Sequence, residues 1–452
     1  MDVWRKYQFS IVCSISQLSF IVLLAIFGRY SLDALPNLDK NSTTITDPFG
    51  METHFGMLMD AHIMIFIGFA YIASFLKRYG YSSIAFNFIL ASFVLQWSII
   101  VRGLLSLHNW TFSIGLQELL LADSTCACVL FAYGVMLGKL SPVQYILLGL
   151  IGTVFAVLNE YVCVHLIKAT DMGASLLVHA YGSYLGLGVA RIMHRKQTTE
   201  TTAAKTVYHS DMFCILGTLV LFTFWPGFNA FLVKPKDAQL RTVINTFLAL
   251  NAGSVTSLLM SAGVNPDGKL SMIHAQTGAL AGGVAIGTSV NMLIAPYAAV
   301  LIGCLGAVTS TLGYQYVSPF LGLKLKMHDT CGIVNVHGWP GILGGTIGTI
   351  VTAFASYEVY GESLYNVFGA LTPPNGRSLL WQVLAQLLIV ILNSGAAFCA
   401  GIITGFILNL SLWNQVDSES LFEDKDYWLL PADFNPFGEE ISVKHASQND
   451  TG

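Results

Sequence analysis

Along most of the chain, apolar residues come in long unbroken runs separated by short polar stretches, with no strict alternation inside the runs. A helix needs about 20 predominantly apolar residues to cross the hydrocarbon layer of a bilayer. The first run follows Arg5 and Lys6 and extends for about 19 residues, longer than the roughly 7–15 of a signal-peptide core, so it reads as a retained first span. Further runs fall near 59–76, 83–101, 116–138, 142–163, 172–193, 212–233, 242–263, 271–289, 292–313, 332–354 and 380–410, which makes twelve. Strands of a membrane barrel would alternate over about ten residues, and these runs do not. The expected fold class is therefore all-α, a polytopic membrane protein.

Composition agrees with the pattern. Charged residues are 11% of 452 and hydrophobic residues 54%, whereas a soluble domain carries roughly 25% charged residues. The net charge of -4 is spread thinly and builds no basic face, which excludes nucleic acid as a partner. The eight cysteines lie in or beside apolar runs without CxxC spacing, so they read as packing residues, and nothing calls for a metal or a cofactor. Residues 1–412 form the expected transmembrane domain, in contact with lipid. Residues 413–452, with DSESLFEDKDYW and FGEE, form an acidic, aromatic tail suited to a cytoplasmic partner or to plain solvation.

An even number of spans leaves both termini on one side. Assigning that side to the cytoplasm of the plasma membrane puts 14 of the 22 Lys and Arg inside, among them the cluster Arg191, Arg195, Lys196 and Lys205. The opposite loops then contain the sequons Asn41-Ser42-Thr43 and Asn109-Trp110-Thr111, and Asn41 has the longer, more polar loop.

Two stretches share the pattern D-x7-H-x-[YW]-x3-L-G. Asp171, His179, Tyr181, Leu185 and Gly186 match Asp329, His337, Trp339, Leu343 and Gly344, and 337 − 179 = 158 residues separate the copies. Five spans carry the chain from one copy to the other, and an odd step reverses helix direction. The pattern predicts two five-helix halves of opposite topology, about 59–193 and 212–354, with one extra helix at each end. Such symmetry brings His179 and His337 together at the centre. Ionisable groups inside a membrane are costly, so a matched pair points to a role beyond packing. Two neutral imidazoles can share one hydrogen bond and leave their other nitrogens to a lumen. His62 and His274, near span ends, read instead as hydrogen-bonded core residues.

The same residues resemble the Rh glycoprotein branch of the ammonium transporter/Rh family. The likeness rests on DAHIMIFIGFAYIASFLKRYGYSS, LNEYV, DMGASLLVHAYGSYLGL, YHSDMFCILGTLVLFTFWPGFN, MIHAQTGALAGGVAIG, DTCGIVNVHGWPGILGG and FEDKDYW, which together span nearly the whole chain. The resemblance implies a homotrimer of twelve-helix subunits, each with a hydrophobic pore conducting ammonia and, in some members, carbon dioxide. It matches the family's twin pore histidines to His179 and His337, the acid organising the substrate site to Asp171, the vestibule acid to Glu160 and the lower gate phenylalanine to Phe228. Three positions depart from the family pattern. Ser124 stands where the upper gate phenylalanine is expected, Ser271 where an acid is common, and Val334 where a polar residue is frequent.

The expected activity is transport of ammonium as neutral ammonia after deprotonation. The alternatives are a gas channel for carbon dioxide and ammonia, and a transport-silent scaffold anchoring partners through its tail. An enzyme is not expected, because no nucleophile or metal-ligand set accompanies the histidines.

Overall fold

The computed structural model describes residues 3–36, 51–201 and 203–431. Among these, nine helices are long and apolar enough to cross a membrane: α1 Val3–Phe27, α2 His54–Phe75, α3 Gly80–Leu105, α4 Leu116–Met136, α5 Pro142–Leu166, α7 Tyr208–Ala230, α8 Lys236–Val264, α10 Pro296–Leu323 and α12 Leu379–Leu408. The three other expected spans are also helical, as α6 (175–192), α9 (272–289) and α11 (334–353). They are less apolar than the other nine for a physical reason. Their Gly, Ser, Thr and His positions are buried against other helices, so they do not need the lipid-compatible surface of an outer helix.

Position in the bundle follows the same logic. The apolar part of α4 is 89% buried and that of α1 only 6%, so α4 is central and α1 peripheral. Glycine lets α6 and α12 approach until their backbones touch. A Cβ on Gly188 would lie 2.8 Å from the Cα of Gly401. Two short parallel strands, β1 Gly28–Tyr30 and β2 Phe112–Ile114, join the loops after α1 and α3 in the register Gly28 to Phe112. The eight cysteines are free, but Cys399 is exposed and Cys13, Cys304 and Cys331 are only partly covered, so packing inside the core accounts for half of them.

The repeat is written into the backbone. Lys168 and Lys326 both adopt left-handed φ values of 57°, and Ala174 at 56° is matched by Gly332 at 66°. Ala169 donates to the Cys163 carbonyl at 3.0 Å and Met327 to the Leu321 carbonyl at 2.9 Å. Val178 donates to Ala174 and Val336 to Gly332, again one repeat apart. Each of α5 and α10 begins on proline and carries a π-helical turn, over the last residues of α5 (162–166) and just ahead of the last six residues of α10 (313–317), and each of α6 and α11 begins with one. The two copies lie at opposite faces. Arg377, just ahead of α12, donates to the carbonyls of Ile167 and Lys168, whereas Lys139, after α4, donates to the carbonyl of His328.

The start of α1 and the segment after α12 meet at the face of the second copy, here the terminal face. The Gln8 amide donates to Leu412 O at 2.8 Å and its carbonyl accepts from Asn414 N at 2.7 Å. The part of the tail that follows is packed against the bundle. Phe422 is fully buried, its N–H bonded to Gly138 O at 3.0 Å. Glu423 pairs with Arg78 at 2.9 Å, and Trp428 donates to Ser82 Oγ at 2.9 Å. The Asp424 carboxylate accepts from Tyr81 N and Ser82 N at 2.9 and 2.8 Å, satisfying first-turn donors of α3 that the helix itself leaves open. FGEE and the rest of the tail beyond residue 431 lie outside the described residues.

Asp424→Ala should lower the unfolding free energy in detergent by about 1–2 kcal/mol, as loss of a helix cap does, with Asp424→Asn retaining part of it. Thermal unfolding monitored by tryptophan fluorescence checks this, and an unchanged midpoint in both variants would show that the tail carries no load.

Candidate functional site

At the far face the chain leaves α5, passes Asp171 and turns into α6 through the left-handed Ala174, whose N–H is held by the Asp171 carbonyl at 3.0 Å. The Asp171 side chain completes the turn. Its Oδ2 accepts from Leu176 N and Leu177 N at 2.9 and 2.8 Å, and its Oδ1 from the Thr288 hydroxyl at 2.6 Å. The carboxylate therefore caps the helix that carries His179 and ties it to α9. At the terminal face Asp329 Oδ2 accepts from Val334 N at 2.9 Å, while its Oδ1 is buried without a partner. The two caps are symmetric in position and unequal in satisfaction.

Each cap aims one imidazole at the centre. His179 Nδ1 and His337 Nδ1 lie 3.1 Å apart, with the rings within 8° of parallel. Both residues are buried, at 1% and 4% exposure. The single contact requires one nitrogen to donate and the other to accept. Trp225 packs against the pair, within 14° of the His179 ring plane and 6° of the His337 plane, and Phe131 lies 3.9 Å from the His337 centroid. His179 Nε2 and Trp225 Nε1 are buried and have no protein partner.

Cavities approach this aromatic seam from both sides and share no lining residue. On the far side a cavity of about 420 Å³ is lined by Glu160, Asp171, Ser124, Val178, Phe228 and Phe231. It continues into a vestibule of about 750 Å³, with Arg102, Gln117, Leu121, Glu160 and His165 lining both. On the terminal side a cavity of about 430 Å³ is lined by His337, Phe131, Val336, Ile333, Gln276, Asp211 and Ser271, among others. Beside it, outside the spans, burial pushes Lys139 down to about 8, against the pull of Asp329, and burial with Lys139 nearby pushes His328 down to about 3. His328 is thus neutral at physiological pH.

The expected site residues are therefore brought onto one path. Phe228 stacks on Phe231 with centroids 5.0 Å apart. Ser124 opens onto the far cavity without filling it. Glu160 reaches the same cavity, but both its oxygens are bonded to Arg102, at 2.8 and 2.6 Å. Val334 supplies the N–H that Asp329 caps, and Ser271 stands just ahead of α9 with its N–H on Ser261 Oγ at 2.8 Å. His62 bonds Asp123 at 3.0 Å and His274 bonds Ser261 at 2.9 Å, both off the seam; His274 is the buried, hydrogen-bonded core residue expected, whereas the His62 side chain is 38% exposed and only its partner Asp123 is buried. Asn109 is exposed in a tight turn closed by His108 and Thr111, and Asn41 lies outside the described residues.

Sequence reasoning missed Trp225, Phe231, Phe131, Thr288 and Arg102. A signal existed for the first two: Trp225, Phe228 and Phe231 recur every three residues and so fall along one side of the last turn of α7 and its C-cap. Nothing local marks Phe131 or Arg102.

A family model described as Ammonium Transporter Family matches residues 39–427. Ammonium transporter Rh type B-A of Xenopus laevis is 40% identical over 432 residues, covering 94% of each chain. Ammonium transporter Rh type C of Canis lupus familiaris is 37% identical, covering 95% of each. Among solved structures, Nitrosomonas europaea Rh50, of the Rhesus protein family of channels, superposes with a TM-score of 0.76 at 27% identity, over 89% of this chain and 97% of its own. Saccharomyces cerevisiae Mep2 shares the fold, with a TM-score of 0.64 at 17% identity over 89% of this chain and all of its own.

Asp171→Ala removes three accepted hydrogen bonds from buried donors and should cost about 3 kcal/mol or more of stability. Asp329→Ala, with one such bond, should cost less. Thermal unfolding of the two variants side by side checks the order, and equal losses would contradict it.

Proposed function

The chain belongs to the Ammonium Transporter Family, and on that premise we propose that it moves ammonium across the membrane as neutral ammonia, through a pore in each subunit centred on His179 and His337. The observation that carries this reading is the seam itself: two buried imidazoles bonded only to each other at 3.1 Å, against Trp225 and Phe131. A bare ammonium ion there would exchange its hydration shell for aromatic carbon and neutral nitrogen, at a cost of many kcal/mol. Ammonia avoids most of that cost and can still donate to, or accept from, a ring nitrogen.

Ammonium enters the vestibule that Glu160 lines, loses its proton near Phe228 and Phe231, and crosses the seam as ammonia, to be reprotonated in the terminal-side cavity. Asp171 acts by holding Leu176, Leu177 and Thr288, which orients α6 and with it His179. Carbon dioxide is also neutral, but it has no proton to donate to the buried imidazole nitrogens, so ammonia is the better match. The subunit assembles as a homotrimer in the plasma membrane, with the terminal face cytoplasmic. The far-face loops are glycosylated at Asn41, and Asn109 is a second acceptor.

In proteoliposomes given an ammonium pulse, His179→Ala and His337→Ala should slow internal alkalinisation by about tenfold, the factor that one hydrogen bond of about 1.4 kcal/mol represents, while the assembly keeps its native size on gel filtration. Wild-type rates in both variants would remove the histidines from the mechanism. In a planar bilayer the purified protein should carry no ammonium-dependent current above that of lipid alone, and a saturating current would overturn the neutral species.

A further inference from the structure

The vestibule acid is not free. Arg102 of α3 grips Glu160 of α5 with two parallel hydrogen bonds, Nη1 to Oε1 at 2.8 Å and Nη2 to Oε2 at 2.6 Å. Nη2 also donates to Thr125 Oγ1 of α4 at 2.6 Å, and Nε to Ser98 Oγ at 3.3 Å. A planar guanidinium used in this way is held in one orientation. The side chains are 14% and 20% exposed, so the pair is set into the wall at the neck rather than waving in solvent. It lines both the wide vestibule and the cavity above Phe228.

Two features make this position decisive. Thr125, which anchors the guanidinium, is the neighbour of Ser124, whose small side chain leaves the far cavity without a bulky lid. The other charges lie to either side: Glu118 and Arg29 line only the vestibule, where they bond the backbone at Gly115 N and Gly28 O, and Asp171 lines only the far cavity. Glu160 is then the carboxylate at the neck, and its charge is answered by Arg102.

We propose that Arg102 sets the apparent affinity of the pore mouth: it masks Glu160 from entering cations and bridges the neck beside Ser124. This rests on the transport reading above. Ammonium reaching the neck competes with a covalently attached, bidentate cation, so the mouth does not concentrate ammonium, and half-saturation is set high.

The test is methylammonium uptake into proteoliposomes at low and high salt. Arg102→Gln should lower the half-saturating concentration by roughly fivefold at low salt, the factor that a partly screened ion pair represents. High salt should erase the gain, and so should adding Glu160→Gln. An unmoved or raised half-saturation in Arg102→Gln, or a gain that survives in the double variant, overturns the proposal. If Arg102→Gln does not reach native size on gel filtration, Thr125→Val, which removes one guanidinium anchor, should lower half-saturation by roughly twofold, and no change there overturns it equally. Wild-type vesicles without protein-dependent uptake would defeat the transport reading, whereas normal wild-type uptake with unmoved variants defeats the role of Arg102 alone.

Discussion

A hydrogen bond between two neutral imidazoles at the centre of a membrane bundle is the constraint on which the rest of the structure depends. Each ring has two polar nitrogens that hydrocarbon cannot satisfy. The 3.1 Å contact between His179 Nδ1 and His337 Nδ1 settles one nitrogen of each, and it exists only if two distant helices present their rings nearly edge to edge. Small errors in the register or tilt of α6 or α11 would break it. The inverted repeat solves this by building both sides with the same parts: a left-handed residue at Ala174 or Gly332, a carboxylate cap from Asp171 or Asp329, and a π turn that rotates the helix just at the histidine.

The repeat is not a perfect copy, and its asymmetries follow the two faces. Asp171 is fully used, by two backbone donors and Thr288, and so belongs to the framework. Asp329 keeps one buried oxygen unpartnered and lies beside Lys139, next to the buried Phe422 of the tail. Trp225 has no counterpart in the shared motif, yet it runs parallel to both imidazoles. The aromatic wall thus breaks the symmetry that brings the histidines together, and it gives the path different surfaces toward each mouth.

Charge is handled at the mouths and excluded from the middle. On the far side Glu160 is paired with Arg102 before any substrate arrives, so the acid shapes the neck as half of an ion pair. On the terminal side the neutral His328 lies near Lys139, and the tail closes over Gly138 through Phe422. Between these regions the wall is aromatic and imidazole. A permeant that sheds its charge fits that sequence of environments, and a hydrated cation does not.

Much of this was legible in the chain itself. The unbroken apolar runs determined a helical membrane protein, and the spacing Asp171 to His179 against Asp329 to His337 determined the repeat and its pair, because a 158-residue period carried by an odd number of helices has only one simple geometric meaning. Period and hydropathy are local properties, and they survive in one dimension. The partners of Glu160, Phe131 and Asp171 do not. Arg102 is 58 residues from Glu160, and Thr288 is 117 from Asp171, on helices whose faces are set only when the bundle closes. The packing of the tail was hidden for the same reason, since an acidic segment reads as solvated until Asp424 is found on the open N–H groups of Tyr81 and Ser82. Sequence alone determined which groups must be buried; the tertiary structure decided what satisfies them, because a buried polar group takes its partner from whichever helix packs beside it.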